Sequence, residues 1–233
     1  MTNASFHSGE LLVQDRAGEA AIARRNGSAI SGKVMFGARP FLRLQPMIVL
    51  SSSDEESAMW ASIVSGRPGF LASQDGASLD IDLNRALVDP GDPEWANIRI
   101  TRRDVRITSL ETPEADGAPK SGAELTEASF AAFGNADTMF VATRSDEGGY
   151  DVSHPGGLPG FLKVTGPLTI QWPEYLGNSM FNALGNLVHN PEAGLAIPDF
   201  ERGLVLQLTA GWSRYGTRAI PLTSAAAPID LSS

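Results

Sequence analysis

A chain of 233 residues can bury a substantial core as one large domain or two small ones. With 42% hydrophobic and 19% charged residues, it falls outside the disordered class, and a net charge of −9 excludes a broad nucleic-acid surface. The absence of Cys removes disulfides, thiolate metal centres, iron–sulfur clusters and thiol nucleophiles, and His7, His154 and His189 are too scattered for a histidine metal site.

The 24 Gly and 15 Pro favour many short strands over long helices. No basic region followed by an apolar stretch opens the chain, and no run approaches the ~18 apolar residues of a membrane span. A soluble cytoplasmic protein without a membrane partner is expected. Residues 9–25 read as a helix with Ser8 as N-cap and Asn26-Gly27 as its stop. Strands are predicted over 46–50 and 59–64, around a turn at 53–56. Further strands are predicted over 69–72 and 79–83, separated by Gln74-Asp75-Gly76. Residues 109–124 are rich in Pro, Gly and acids and read as an exposed linker, with a short helix over 124–133.

The chain also repeats itself. Met47, Val49, Ser53, Asp54 and Glu55 align without a gap on Met139, Val141, Ser145, Asp146 and Glu147. After a one-residue gap, Ser62, Gly66, Pro68, Gly69, Phe70 and Leu71 align on Ser153, Gly157, Pro159, Gly160, Phe161 and Leu162. Leu79-Asp80-Ile81 then corresponds to Leu168-Thr169-Ile170. The expected organisation is a duplicated strand unit: residues 1–108 as helix and first half, 109–124 as linker, 125–224 as second half, and 225–233 as a tail with little to bury.

Apolar residues at 180, 181, 184, 187 and 188 recur at helical spacing after Gly177-Asn178-Ser179, and Asn190-Pro191 ends the run. Strands over 194–197 and 204–209 follow. Two readings of the Gly-Asn-Ser turn stand side by side. One is a helix cap by Asn178 or Ser179. The other is an anion seat, where unpaired amides and the positive helix end meet a close-approaching glycine backbone. No Ser-His-Asp order, phosphate-binding loop, dinucleotide fingerprint or zinc spacing appears.

Several motifs, in order, resemble flavoproteins related to pyridoxamine 5′-phosphate oxidase. They are Phe6-His7-Ser8-Gly9-Glu10 with Val13-Gln14 and Arg16-Ala17-Gly18; Ala136-Asp137-Thr138-Met139-Phe140-Val141; Asp151-Val152-Ser153-His154-Pro155-Gly156-Gly157-Leu158-Pro159-Gly160-Phe161; Gly177 to Leu187; and Asp199-Phe200-Glu201-Arg202-Gly203. The resemblance covers 134–211 well, 5–20 and 45–72 moderately, and little elsewhere. It implies a mainly β FMN-binding split β-barrel with short helices, a homodimer with flavin at the subunit interface, and FMN-dependent oxidation or reduction of a small-molecule substrate. Ser153, His154, Lys163, Asn178, Ser179 and Asn182 match its cofactor-binding positions, and His154 is the catalytic candidate. The Arg and Lys pairs that hold phosphate in the oxidase itself are not matched, nor is an Asn-Cys-Pro-Lys-Tyr segment before the linker. A competing reading is a split-barrel protein that holds flavin or haem without turnover, or holds no cofactor.

Other residues carry two readings. His154 either serves the flavin or is a turn residue. Lys163 is a ligand or a solvated strand end. His7 and His189 read as structural or exposed, Arg67 as exposed, and Arg99, Arg102, Arg103 and Arg106 as a solvated stripe. Trp60, Trp172, Trp212, Tyr150 and Tyr175 default to core packing, with stacking on a flavin ring as the alternative for the tryptophans.

Overall fold

A computed structural model describes residues 6–82, 86–87, 105–107, 127–147, 149–166, 169–175, 177–199, 204–211 and 222–226. The expected linker at 109–124, Arg99, Arg102, Arg103, the Arg106 side chain, Trp212 and the Glu201-Arg202-Gly203 turn lie outside the described residues.

In place of the single helix predicted over 9–25, the chain forms α1 (Ser8–Arg16) and α2 (Ala20–Gly27). The break is at Gly18, whose φ of 71° suits glycine and ends a helix readily. The N-cap of α1 is His7, one residue before the predicted Ser8. Its Nδ1 accepts from Gly9 N at 3.2 Å, while Glu10 Oε2 accepts from His7 N at 2.8 Å. A short 3-10 turn (Phe36–Ala38) then leads into α3 (Arg39–Leu44).

The first hairpin joins β1 (Met47–Ser53) to β2 (Met59–Gly66) in antiparallel register, Met47 facing Ser65. β2 alternates buried and half-buried residues along most of its length, as a strand covered on one face should. β3 (Leu71–Ala72) and β4 (Leu79–Ile81) pair antiparallel, and β5 (Ala86–Leu87) adds to β2. β6 (Val105–Ile107) lies parallel to β4. The helix expected over 124–133 is α4 (Glu127–Asn135).

The second hairpin is β7 (Phe140–Ser145) with β8 (Gly149–Ser153). β9 (Lys163–Gly166) pairs antiparallel with β10 (Thr169–Glu174). After α5 (Asn182–His189) come β11 (Glu192–Asp199) and β12 (Leu204–Gly211), which extend the second hairpin into the sheet β12-β11-β7-β8. β13 (Leu222–Ala226) runs parallel to β10, so Ala225 and Ala226 of the expected tail end a strand.

The protein is thus mainly β with short helices, and no sheet closes into a barrel among the described residues. No helix among them is long and apolar enough to cross a membrane.

Corresponding segments of the two halves share local geometry. The sheets β3-β4-β6 and β9-β10-β13 each contain one antiparallel and one parallel pairing. Gly69 and Gly160 have φ of 93° and 87°, and the next residues, Phe70 and Phe161, are both buried. Phe70 N donates to Arg67 O at 3.0 Å, and Phe161 N to Leu158 O at 2.9 Å. A side chain on Gly66 would strike the Phe70 ring, and one on Gly157 would strike Phe161. The helix before each first strand packs on the third strand, α3 on β3 and α4 on β9.

The two halves meet through β2 and β11. Met59 and Ala61 pack with Ala142 and Ala196 in one apolar cluster, and Gln207 Nε2 donates to Ala61 O at 3.0 Å across the junction. The larger core gathers Phe133, Met139, Val141, Phe161, Ile170, Trp172 and Leu195.

Candidate functional site

The sequence predicts that Asn178 or Ser179 caps the helix. The helix instead begins at Asn182, with Phe181 at the cap position and no side-chain cap bond. Asn178 closes its own turn, Oδ1 accepting from Met180 N at 2.9 Å. Ser179 and Phe181 both adopt left-handed backbone, with φ of 62° and 56°. Each such residue costs about 1 to 3 kcal/mol and persists only where its surroundings hold it.

Two side-chain amides from the N-terminal helices do that holding. Gln14 Nε2 donates to Met180 O at 3.0 Å, and Asn26 Nδ2 to Asn178 O at 2.7 Å. Ser179 is only 6% exposed. The turn's carbonyls are thereby drawn toward α1 and α2, while no side chain caps the positive end of α5. The reading of this turn as a helix cap is overturned.

The other predicted residues lie apart from it. Ser153 ends β8 opposite Val141, half-buried. His154 is exposed; its ring stacks on Phe140 at 4.7 Å between centroids and 17° between planes, and its Nε2 bonds the Thr138 hydroxyl. Only Nδ1 is left to face a ligand. Lys163 opens β9 across from Gln171 and is exposed. It lines a groove of ≈ 480 Å³ with Phe161, Gln171, Trp172 and Tyr175, a volume within the usual range for small-molecule sites.

Tyr175 was expected in the core and is 59% exposed, because it stands beyond the end of β10. Trp172 is buried and contributes to both core and groove. Trp60 is tied down by Nε1 donating to Asp54 Oδ2 at 2.9 Å, and Tyr150 OH lies 2.7 Å from Ser53 Oγ. Arg67 is exposed, as expected. The chain passes from Tyr175 to Gly177 in two residues, and a side chain at Gly157 would lie 3.5 Å from Tyr175 Cε2. The structure therefore sets Asn178 and Ser179 in the turn before α5 and Asn182 at its first position, Lys163 in the groove beside β9 and β10, and Ser153 with His154 at the end of β8.

Sequence reasoning missed the two amide clamps, since Gln14 and Asn26 reach partners more than a hundred residues away. It also missed a polar network between α1, α5 and the β7–β8 turn. Ser8 Oγ donates to Glu147 Oε1 at 2.9 Å and lies 2.9 Å from His189 Nε2. Asn186 Nδ2 donates to Thr143 Oγ1 at 3.0 Å. The Glu147 carboxyl is held below its usual range by the Ser8 amide and hydroxyl. Burial is the largest cause raising the Glu10 carboxyl to about 7; the His7 amide opposes it and Asp151 adds to it. Burial lowers the His7 imidazole.

A pH dependence follows. The folded protein holds the Glu10 proton more tightly than the unfolded chain, where the ordinary value is 4.5. Its favourable contribution is complete below about 4.5 and is lost as pH rises through about 7. His7 acts in the opposite sense: its folded value is lowered, so its contribution fades on acidification. Denaturation midpoints measured between pH 5 and 8.5 should fall less steeply with pH in Glu10→Gln than in the wild type, about the same background from all other groups. Equal slopes would remove Glu10 as the source.

Comparison with protein-family models, curated proteins and solved structures finds no match to this chain.

Proposed function

We propose that the chain is an internally duplicated relative of the split-barrel flavoproteins that binds FMN and uses it to oxidise or reduce a small molecule. The observation that carries this reading is the uncapped start of α5, preceded by a strained turn whose carbonyls are tied back by Gln14 and Asn26. Such a helix start favours a phosphate, with amides as donors and the helix dipole as charge. The matched turns and pairings of the two halves support duplication.

The residues present suit the group. Asn178, Ser179 and Asn182 would hold its phosphate beside the α5 amides. The Lys163 groove, with its aromatic wall of Phe161, Trp172 and Tyr175, would take the ring. Bound flavin would supply the electron and hydride chemistry. The chain's own part is to orient the ring, exclude water with the aromatic wall and, through His154 Nδ1, hold or move a proton.

Asn182→Asp tests the phosphate seat. An acid in the first turn favours the helix by about 0.3 to 1 kcal/mol, yet repels phosphate. FMN affinity, read by fluorescence titration, should fall about tenfold or more with thermal stability kept, while riboflavin, which lacks the phosphate, should be little affected. A wild-type protein that is colourless and takes up no added FMN would sink the reading.

The resemblance implies a homodimer, whereas here the two hairpin units pack together within one chain. We infer a monomer with one flavin; sedimentation showing a dimer, with flavin bound only in that form, would restore the intersubunit site. A second reading is binding of flavin or haem without turnover, favoured by the engagement of His154 with Thr138 and Phe140.

A further inference from the structure

The N-terminal half carries its own groove, of ≈ 580 Å³, between α3 and the chain leaving β3. It is lined by Phe36, Arg39, Pro40, Arg43, Ala72, Ser73 and Gln74, with no carboxylate among them. The Arg39 guanidinium stands over the Phe36 ring, 5.5 Å from its centroid, and donates from Nη1 to Gln74 O. Arg43 follows one turn later on α3 and is exposed.

Three features mark this groove as built for an occupant. First, Phe36 is 83% exposed, unusual for a phenyl ring, and its neighbour Met35 is 71% exposed. Second, the Ser73 hydroxyl and Arg39 Nε are buried without hydrogen-bond partners, an unfavourable state for each group. Third, two arginines share one wall in a chain of net charge −9. The nearest acid along the chain, Asp75, is turned into its own loop, accepting from Ala77 N, Ser78 N and Ser78 Oγ at 2.9 Å each. Local positive charge is left facing the groove.

The geometry points to a binding site for a small ligand that joins a flat ring to an anionic group, of about mononucleotide size. The ring lies against Phe36 and Pro40, and the planar guanidinium of Arg43, with Arg39 beside it, takes the phosphate or carboxylate. Partial opening of the Arg39–Gln74 contact brings Arg39 Nε and the Ser73 hydroxyl within reach, so binding relieves the two orphaned groups. These residues are separate from Lys163 and the α5 turn, and the proposal stands whether or not flavin binds there.

The test uses the full-length chain with adenosine 5′-monophosphate and phenyl phosphate as probes, followed by isothermal titration calorimetry. Saturable binding of at least one probe is expected, weakened about tenfold or more by Arg43→Glu and by Phe36→Ala. Both substitutions fall on exposed side chains, so the fold persists. Lys163→Ala should leave this binding unchanged. Inorganic phosphate alone should bind more weakly than phenyl phosphate. No saturable binding of either probe at millimolar concentration, or binding indifferent to Arg43→Glu, overturns the proposal. So does a dimer in sedimentation that Phe36→Ala dissociates, because the occupant is then a second copy of this chain.

Discussion

Gly194→Val is expected to break the packing of the two halves and to cause a large loss of stability. A Cβ at Gly194 would stand 2.5 Å from Trp60 Cα and 2.6 Å from Met59 O, so it meets the backbone of β2 directly. Backbone in a paired strand cannot swing aside as a flexible side chain can. The neighbouring cluster of Met59, Ala61, Ala142 and Ala196 is made largely of small residues because the strands approach so closely. Overpacking of this kind costs about 1 to 3 kcal/mol and sometimes more, and valine adds two methyl groups beyond the Cβ. For a chain of this size the melting temperature should fall by roughly 2 to 12 °C. A change of less than about 2 °C would show that β2 and β11 do not cross at this glycine.

The second large effect belongs to the crossing of α1 over α5. A Cβ on Gly185 would lie 2.6 Å from Glu10 N and 2.7 Å from Glu10 Cα, and one on Gly9 would collide with Gly185 O. Each glycine is small because the other helix's backbone occupies the space. Gly185→Ala should lift α1 away, and with it the Gln14 clamp on Met180 O. Faster hydrogen exchange across residues 7–27 is the direct readout, with an expected cost of about 1 to 3 kcal/mol. Under the proposed function, FMN affinity should fall as well.

Because Gly9→Ala disrupts the same contact, the double variant should lose less than the sum of the two single losses. Gly134→Ala supplies the control. It lies in α4 with nothing within 4 Å of its would-be Cβ, and should be neutral or stabilising by up to about 1 kcal/mol. If Gly185→Ala matched this control, the helix crossing would be refuted.

The strands were largely legible in the sequence because their determinants are local. The apolar run at 46–50 and the mixture of apolar and small residues over 59–64 place β1 and β2 within a few residues of their observed spans. The helical periodicity of 180–188 likewise finds α5, though not its first residue. The start moved from Asn178 or Ser179 to Asn182 because Asn26 and Gln14, far away in the chain, pull on the turn's carbonyls and hold two residues in left-handed backbone. No local rule contains that force. Tyr175 was misplaced for a related reason: an aromatic residue defaults to the core, but the end of β10 leaves this one at the lip of a groove.

By itself, then, the sequence determined the composition of strands and short helices, the repeat of its turns and the presence of a glycine turn before α5. These depend on contacts between near neighbours. Only the tertiary structure decided which backbones touch at Gly194 and Gly185, which amides clamp the 178–180 turn, and that Ser73 and Gln74 close a groove against Phe36 and Arg39. Each of those contacts joins segments remote in the chain, where packing within a fraction of an ångström, rather than residue preference, selects the outcome.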